Sequence, residues 1–471
     1  MIKKFLKNHI AFFLILVVAL VLRLYKIENP VADWHSWRQA DTSSVTRVFD
    51  QEGVNMFIPR YQDISNIPSG QDNPNGYRMV EFPLYNLAHL GVFRLGSLNL
   101  ETAGRLTSII LSLVSLSLIY LIANKLSGKK TALFASFFFA LLPFNIFYSR
   151  VILPEPLMTT LFLSSFFLLL NSRIFLSAVF LAGALLVKPY AIFFTLPYLL
   201  IFWKKWRSKK INLVQILIYG AVALTPFILW RFWIANFPEG IPASGWLFNQ
   251  NGIRFRPAWF RWLFAERLGK LILGYWASIF LVLGVLKKPL KNLSWSYSLF
   301  GLGIVAYFSV LASGNITHDY YQSIIIPFIC LILGRGVDAL TSLPNKTFSR
   351  PLLWGSALVV VAFSLAFSWY EIKGLYQINN PSIVKAGQAV DNLLPKDARV
   401  IAPYMGDTAF LYQTNRYGWP LLTYDLDKLI DLGATHYVSV NYDDQTNIIL
   451  NDPNFSVLQQ EKEFVIIKLQ K

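Results

Sequence analysis

Charge is scarce in this chain: Asp, Glu, Lys and Arg make up 15% of its 471 residues, against about a quarter in a typical soluble domain. That shortage excludes a solvated surface over most of the length. Cysteine is almost missing, with Cys330 the single example. One thiol builds no disulfide framework and leaves the redox compartment undecided; Cys330 lies in an apolar run and reads as inert packing. Signatures of soluble nucleotide and hydrolytic chemistry are also missing. There is no Walker A loop, no dinucleotide fingerprint, no Gly-x-Ser-x-Gly and no His-Glu-x-x-His. No repeat or low-complexity segment stands out.

What fills the chain is apolar, at 55% of residues. Runs long enough to cross about 30 Å of hydrocarbon recur through the first 370 residues. We place spans at about 10–27, 104–123, 131–148, 154–171, 174–187, 189–203, 211–234, 269–286, 293–312, 321–340 and 351–369. The first follows Lys3, Lys4 and Lys7 and lacks a small-residue cleavage site, so it reads as a retained span and not a signal peptide. The stretch Leu84 to Leu95 is short for a crossing and reads as interfacial or re-entrant. If it spans, another crossing must restore the parity, and the count rises from eleven to thirteen.

The net charge is +17, but its distribution argues against a nucleic-acid partner. From Leu375 onward 8 basic residues face 11 acidic ones, leaving −3, so the membrane part carries +20. Its cations sit in short runs between spans, such as Lys204 to Lys210, Lys287, Lys288, Lys291 and Lys346. That bias puts the N-terminus inside and, with an odd number of spans, the tail outside. The expected fold is a polytopic α-helical membrane protein, 1–370, with its first external loop at 28–103. A small extracytoplasmic α/β domain at 375–471 follows it. Strand-like runs at Val400 to Pro403, His436 to Val440 and Phe464 to Leu469 alternate with helical stretches at Ile383 to Leu394 and Leu426 to Leu432.

The outer loops hold the candidate chemistry. Trp34-His35-Ser36-Trp37-Arg38-Gln39-Ala40-Asp41-Thr42 places acid, base and imidazole beside the first span. Asp41 is a candidate general base, which must lie within hydrogen-bond reach of the hydroxyl it deprotonates; the alternative is an N-cap for a helix through Val45 and Phe49. Glu81 closes the same loop in Glu81-Phe82-Pro83-Leu84-Tyr85 and is a candidate metal or acceptor ligand, or a solvated acid. His35 is a possible third metal ligand or a packed interfacial residue. Arg150 and Glu155 flank a proline-started helix and would share an outer cavity, or serve as anchor and first-turn acid. Lys188 is either an anion ligand or a snorkelling lysine. His318, Tyr320 and Tyr321 form a turn that would touch a phosphate or belong to an aromatic belt. On this topology all five clusters face outward.

These residues carry a resemblance. Trp37-Arg38-Gln39-Ala40-Asp41-Thr42 in a long first external loop, followed by Glu81-Phe82-Pro83-Leu84-Tyr85, resembles the GT-C membrane glycosyltransferases. Within them it is similar to the family 39 group of protein O-mannosyltransferases and lipid A aminoarabinose transferases. Arg150 to Pro156 and His318 to Tyr321 resemble patterns of the bacterial members, and the likeness covers about 1–370. It implies a polyprenyl-phosphate-linked sugar as donor, with hexosyl or pentosyl transfer to a lipid, glycan or protein acceptor outside the cell membrane. It implies Asp41 as general base and inversion at the anomeric carbon. Two departures matter. Thr42 stands where the family's second acid is expected, and Phe82 stands where a phosphate-binding Lys follows the acid matched by Glu81. Arg38, Arg150, Glu155, Lys188, His318, Tyr320 and Tyr321 are then the candidates for binding the donor phosphate or acceptor, with Arg150 and Lys188 stabilising the departing phosphate. No cofactor is required on this reading, although Glu81 is a possible ligand to a divalent metal.

Two rival classes predict different things. A transporter or lipid flippase needs polar or broken helices near the bilayer midplane, whereas the runs Leu106 to Ile122 and Phe134 to Leu142 contain no acid. An adhesin or sensor would keep its activity in the isolated tail and leave the first-loop acids unexplained.

Overall fold

A computed structural model of the chain describes residues 2–289, 292–344 and 348–469. Lys291 and Lys346, two of the cations expected on the inner face, lie outside these residues. The chain divides into two compact units. One comprises Met1–Ile27, Ser108–Trp230 and Ser244–Gly374; the other comprises Glu28–Thr107, Arg231–Ala243 and Leu375–Lys471. The loop expected at 28–103 is thus grouped with the tail, and not with the spans that flank it in sequence.

The first unit is helical. Among the described residues, five helices are long and apolar enough to cross a membrane, including Leu100–Ser127, Leu213–Ile234 and Asp319–Thr341. Shorter apolar helices, His9–Arg23, Glu155–Leu170 and Ile174–Val187, add to them. Several expected spans are segmented, and in two of them proline is the reason. The run 131–148 is two helices, Lys129–Leu141 and Pro143–Tyr148. Pro143 has no N–H to give the Phe139 carbonyl. That carbonyl instead accepts from Asn145 Nδ2 at 2.5 Å and from Arg23 Nη2 at 3.0 Å. The buried Arg23 also donates to the carbonyls of Ala140 and Ala19 and to Ser149 and Ser112. In hydrocarbon, irregular backbone survives only where the protein satisfies it, and one arginine does most of that here.

The run 189–203 likewise begins as a tight turn at Pro189–Thr195 before the helix Leu196–Arg207. The run 269–286 is helical at Ser278–Leu286, preceded by a wide helix at Arg261–Ile272. Ser364 and Ser368, on the helix Arg350–Ile372, each donate at 2.7 Å to the carbonyls of Leu273 and Leu271. Small residues set the closest contacts. A Cβ on Gly336 would stand 1.8 Å from the Phe280 carbonyl oxygen, and one on Gly284 would stand 2.1 Å from that of Ile332.

The second unit contains a five-stranded sheet: β1 Arg399–Ile401, β2 Tyr417–Trp419, β3 His436–Ser439, β4 Ser456–Gln460 and β5 Val465–Lys468. Their spatial order is β2-β1-β3-β5-β4, with β1 parallel to β2 and β3, and β5 antiparallel to β3 and β4. Both faces are covered. Val400, Val438 and Ile466 pack with Ile383, Ala386 and Val390 of the helix Pro381–Leu393 and with Phe410 of the helix Thr408–Gln413. Ile401, Tyr437, Val465 and Ile467 pack on the other side with Leu429 and Ile449. The expected α/β character holds, and three of the five strands were legible. β2 is three residues with a central Gly, and β4 is an exposed edge, so neither shows the apolar alternation of a strand.

The first loop joins this sheet. Ile64 N–H donates to the Gly418 carbonyl and Gly418 N–H to the Gln62 carbonyl, both at 3.0 Å, so Gln62 to Ile64 covers the β2 edge. The loop also contains two helices. Ser36–Glu52 carries Asp41, and Leu84–Leu95, at 12 residues, rises about 18 Å and is too short to cross.

Gly418 holds this arrangement tightly: a Cβ there would stand 1.7 Å from the Val400 carbonyl oxygen. We expect Gly418→Ala to destabilise the second unit by about 1–3 kcal/mol, measured as a lower Tm of the purified protein. A Tm equal to wild type would contradict this packing.

Candidate functional site

Each unit holds one cluster of the candidate residues. In the second unit the helix Ser36–Glu52 presents the motif Trp37 to Thr42. It starts at Ser36, after His35 in a left-handed conformation at φ 54°, and Asp41 lies inside it. The alternative of Asp41 as an N-cap is therefore overturned. The loop supplies the start, because Ser36 N–H donates to the Asp33 carbonyl at 3.1 Å.

Nearly every polar side chain of the motif is engaged. Arg38 pairs with Glu81. Gln39 donates to Asp33 Oδ1 at 2.7 Å, and Arg105 also approaches Asp33, at 3.6 Å. Thr42 Oγ1 donates back to the Arg38 carbonyl at 2.9 Å. Its hydroxyl is spent inside the helix and does not stand in for the missing second acid.

Asp41 is 5% exposed. Arg78 Nη2 lies 2.6 Å from Asp41 Oδ2, and Thr408 Oγ1 donates to Asp41 Oδ1 at 2.7 Å. Neither partner was identified from the sequence. Arg78 stands three residues before Glu81, its one weak signal. It is fixed by a short ladder in which Tyr61 N–H donates to the Gly76 carbonyl and Arg78 N–H to the Pro59 carbonyl, both at 2.8 Å. Its guanidinium lies 5.0 Å from the Tyr61 ring centroid. Thr408 opens the helix Thr408–Gln413, capped by Asp407, whose carboxylate accepts from Ala409 N–H at 2.7 Å.

Two more carboxyls feel Asp41. Burial pushes Asp63 up to about 6; the charge of Asp41 adds to this, while hydrogen bonds from Ser65 and the charge of Arg78 oppose it. Burial also pushes Asp407 up to about 6, with Asp41 adding and the Ala409 N–H and His35 opposing. Tyr61 donates to Asp63 Oδ2 at 3.3 Å, and its phenol is raised well above its ordinary range by burial and by Asp63. The free space beside Asp41, lined by Ser44, Tyr61, Gln62, Asp63, Thr408 and Tyr412, is about 10 Å³, room for at most about one water.

The donor set does not fit a divalent ion at Glu81. Its Oε1 is taken by the Arg38 cation, and no group of three His, Cys, Asp or Glu side chains gathers among the described residues. His35 packs instead against Trp34, with ring centroids 5.0 Å apart.

The first unit holds the other candidates. Glu155 opens the helix Glu155–Leu170 next to two prolines, as expected, and is buried. Its Oε1 lies 3.2 Å from Lys188 Nζ, and both residues are almost fully buried. Lys188 is therefore an ion-paired residue and not a snorkelling one. Glu155 Oε2 has no hydrogen-bond partner and faces a cavity of about 20 Å³ lined with Ser112, Ser115, Tyr148, Ser149 and Thr159. Arg150 is not among the residues that line that cavity. It is buried, with Nη1 donating to the Lys26 carbonyl at 2.8 Å. His318, Tyr320 and Tyr321 form a ring stack, with Tyr320 and Tyr321 4.6 Å apart and His318 5.5 Å from Tyr320. Tyr321 is 6.1 Å from Tyr190, over which Lys188 sits at 5.9 Å. Asp319, inside the same turn, accepts from Tyr148 at 2.5 Å and faces Arg267 at 3.8 Å. It is an acid whose role in the turn the sequence did not show.

Comparison with known proteins agrees with the resemblance drawn from the motifs. Residues 83–233 match the family model of dolichyl-phosphate-mannose-protein mannosyltransferases. The structure is similar to that of ArnT from Cupriavidus metallidurans bound to undecaprenyl phosphate, at 14% identity and a TM-score of 0.64, over 97% of each chain. It is also similar to the oligosaccharyltransferase of Archaeoglobus fulgidus, at 11% identity and a TM-score of 0.55, over 91% of this chain and 69% of that one. A third likeness is to the mycobacterial arabinofuranosyltransferase AftD, at 13% identity and a TM-score of 0.58, over 98% of this chain but 41% of that one. No curated protein matches by sequence. The chain has the fold of the GT-C membrane glycosyltransferases.

The electrostatics of the Asp41 cluster yield a test. The ordinary value for Asp63 is 3.8 and the folded value about 6. Its stabilising contribution is therefore complete below about pH 4 and is lost as the pH rises through about 6. We expect Asp63→Asn to be more stable than wild type at pH 7.5 by up to about 3 kcal/mol, seen as a higher Tm, with the gap closing near pH 4. A gap of the same size at both pH values would contradict the buried, ionising Asp63.

Proposed function

We propose that this protein is an integral membrane glycosyltransferase that moves a hexosyl or pentosyl group from a polyprenyl-phosphate-linked donor to a lipid, glycan or protein acceptor. The observation that carries the reading is Asp41. It is a buried carboxylate held on both oxygens, by Arg78 and Thr408, in a protein with the GT-C fold. The family model is supportive, since its description names a dolichyl-phosphate sugar. The bound undecaprenyl phosphate of ArnT supports a polyprenyl phosphate as carrier.

In the proposed reaction Asp41 takes the proton of an acceptor hydroxyl, directly or one water away. The hydroxyl oxygen bonds to the anomeric carbon as the bond from that carbon to the phosphate oxygen breaks. The electron pair leaves with the polyprenyl phosphate, and the sugar configuration inverts. Phosphate is a good leaving group, so no strong general acid is needed. Lys188 and Arg150 are assigned to the departing phosphate as fixed cations. Lys188 is paired with Glu155, and Arg150 Nη1 donates to the Lys26 carbonyl. The excess of cations in the links read as inner supports a reaction on the extracytoplasmic face, with the N-terminus inside.

The test uses purified full-length protein in liposomes. The donors are undecaprenyl-phosphate-linked mannose, glucose, galactose and arabinose, the acceptors are extracted membrane lipids and glycans, and products are scored by mass. We expect at least one donor to be consumed with transfer, and Asp41→Asn to lower the rate by about 10²–10⁴-fold. Full activity in Asp41→Asn would overturn the assignment of the base. Solute movement without sugar transfer would favour the transporter reading.

A further inference from the structure

The C-terminal segment supplies one of the two groups that hold Asp41, and nothing in the expected roles of the first loop accounts for it. We propose that Thr408 is a positioning residue for Asp41, so that the sheet domain completes the reactive carboxylate; this rests on the reading of Asp41 as the base.

Three observations carry it. First, the contact is direct: Thr408 Oγ1 lies 2.7 Å from Asp41 Oδ1 and 3.2 Å from the Trp37 carbonyl oxygen. A hydroxyl has one proton to give, and the carboxylate is both nearer and the stronger acceptor. Second, Thr408 is held there and does not merely drift past. Its helix, Thr408–Gln413, is fastened to the helix Ser36–Glu52 at its other end. Arg47 Nη1 donates to the Tyr412 carbonyl at 2.7 Å, which also accepts from Asn415 N–H at 3.3 Å. The Arg47 guanidinium also lies 3.8 Å from the Tyr412 ring centroid. Tyr412 O–H donates to Glu101 at 2.7 Å and meets Ser43 Oγ at 2.9 Å. The β2 edge, paired with Gln62 to Ile64, ties the loop to the sheet a second time. Third, the division of labour is complete. Arg78 takes Oδ2 and Thr408 takes Oδ1. With one oxygen held, the carboxylate still turns about its long axis; with both held, its remaining lone pairs have a fixed direction.

The charged and titratable groups that face Asp41 are Arg78 from the ladder, Asp63 and Tyr61 from the loop and Asp407 from the tail, with His35 facing Asp407 in turn.

The experiment compares wild type, Thr408→Val, Thr408→Ser and Asp41→Asn. All are full-length proteins in liposomes, assayed with whichever undecaprenyl-phosphate-linked sugar of the panel wild type consumes. Thr408→Val should lower kcat about tenfold and leave KM for the donor within about twofold. Thr408→Ser should restore kcat. The inference is overturned if Thr408→Val keeps the wild-type kcat, if its loss falls on KM and not on kcat, or if Thr408→Ser falls as far as Thr408→Val. If Thr408→Val does not purify as a folded protein, Thr408→Cys, of similar shape and a weak donor, takes its place under the same criteria. Asp41→Asn separates the two readings. If it is active, the base assignment fails and the inference with it. If it is inactive while Thr408→Val behaves as wild type, the positioning role alone fails.

Discussion

A carboxylate buried as deeply as Asp41 needs a cation, a proton or several hydrogen bonds. Arg78 at 2.6 Å is the answer on which the second unit is arranged. To bring that guanidinium to the helix Ser36–Glu52, the loop folds back through the Tyr61–Gly76 ladder. The same ladder leads into Gln62 to Ile64, which pair with β2 at Gly418. The loop is therefore not a tether between spans but part of the wall of the sheet domain. The tail, for its part, is not an appendage, since its helix Thr408–Gln413 lies on the helix that carries Asp41.

The helical unit is organised by a related constraint. Prolines that open the helices Pro143–Tyr148, Glu155–Leu170 and Leu196–Arg207 break the apolar runs and strip carbonyls of their partners. Such groups are costly in hydrocarbon. Arg23 and Asn145 satisfy the Phe139 carbonyl left by Pro143, and Ser364 and Ser368 do the same for the Leu273 and Leu271 carbonyls, where the helix Arg261–Ile272 ends without a proline. The breaks leave polar side chains at depth, and that is where Glu155, Lys188 and the Tyr148–Asp319 pair are found.

Much of this was legible in the sequence, for definable reasons. A run of apolar residues has few folded options, so the spans could be read directly, while their segmentation needed the prolines to be followed to the carbonyls they orphan. The sheet domain was legible through β1, β3 and β5, whose apolar residues reach a core. The partners of Asp41 were not legible. Arg78 is 37 residues away and Thr408 is 367 away, and neither position carries a local pattern that points to the other. The same holds for Glu81, whose ion-pair partner Arg38 is 43 residues away. Thr42 shows the opposite case: its departure from the family's acid was visible at once, and its hydroxyl bond to the Arg38 carbonyl explains how the helix absorbs the change.

The account as a whole depends on direct displacement at the anomeric carbon, with Asp41 as base and no covalent sugar on the protein. The most direct measurement is the anomeric configuration of the product, read by NMR after a single turnover with a ¹³C-labelled undecaprenyl-phosphate sugar of known configuration. The account predicts complete inversion. A product that retains the donor's configuration would contradict it, because retention requires a second nucleophile and a different role for Asp41.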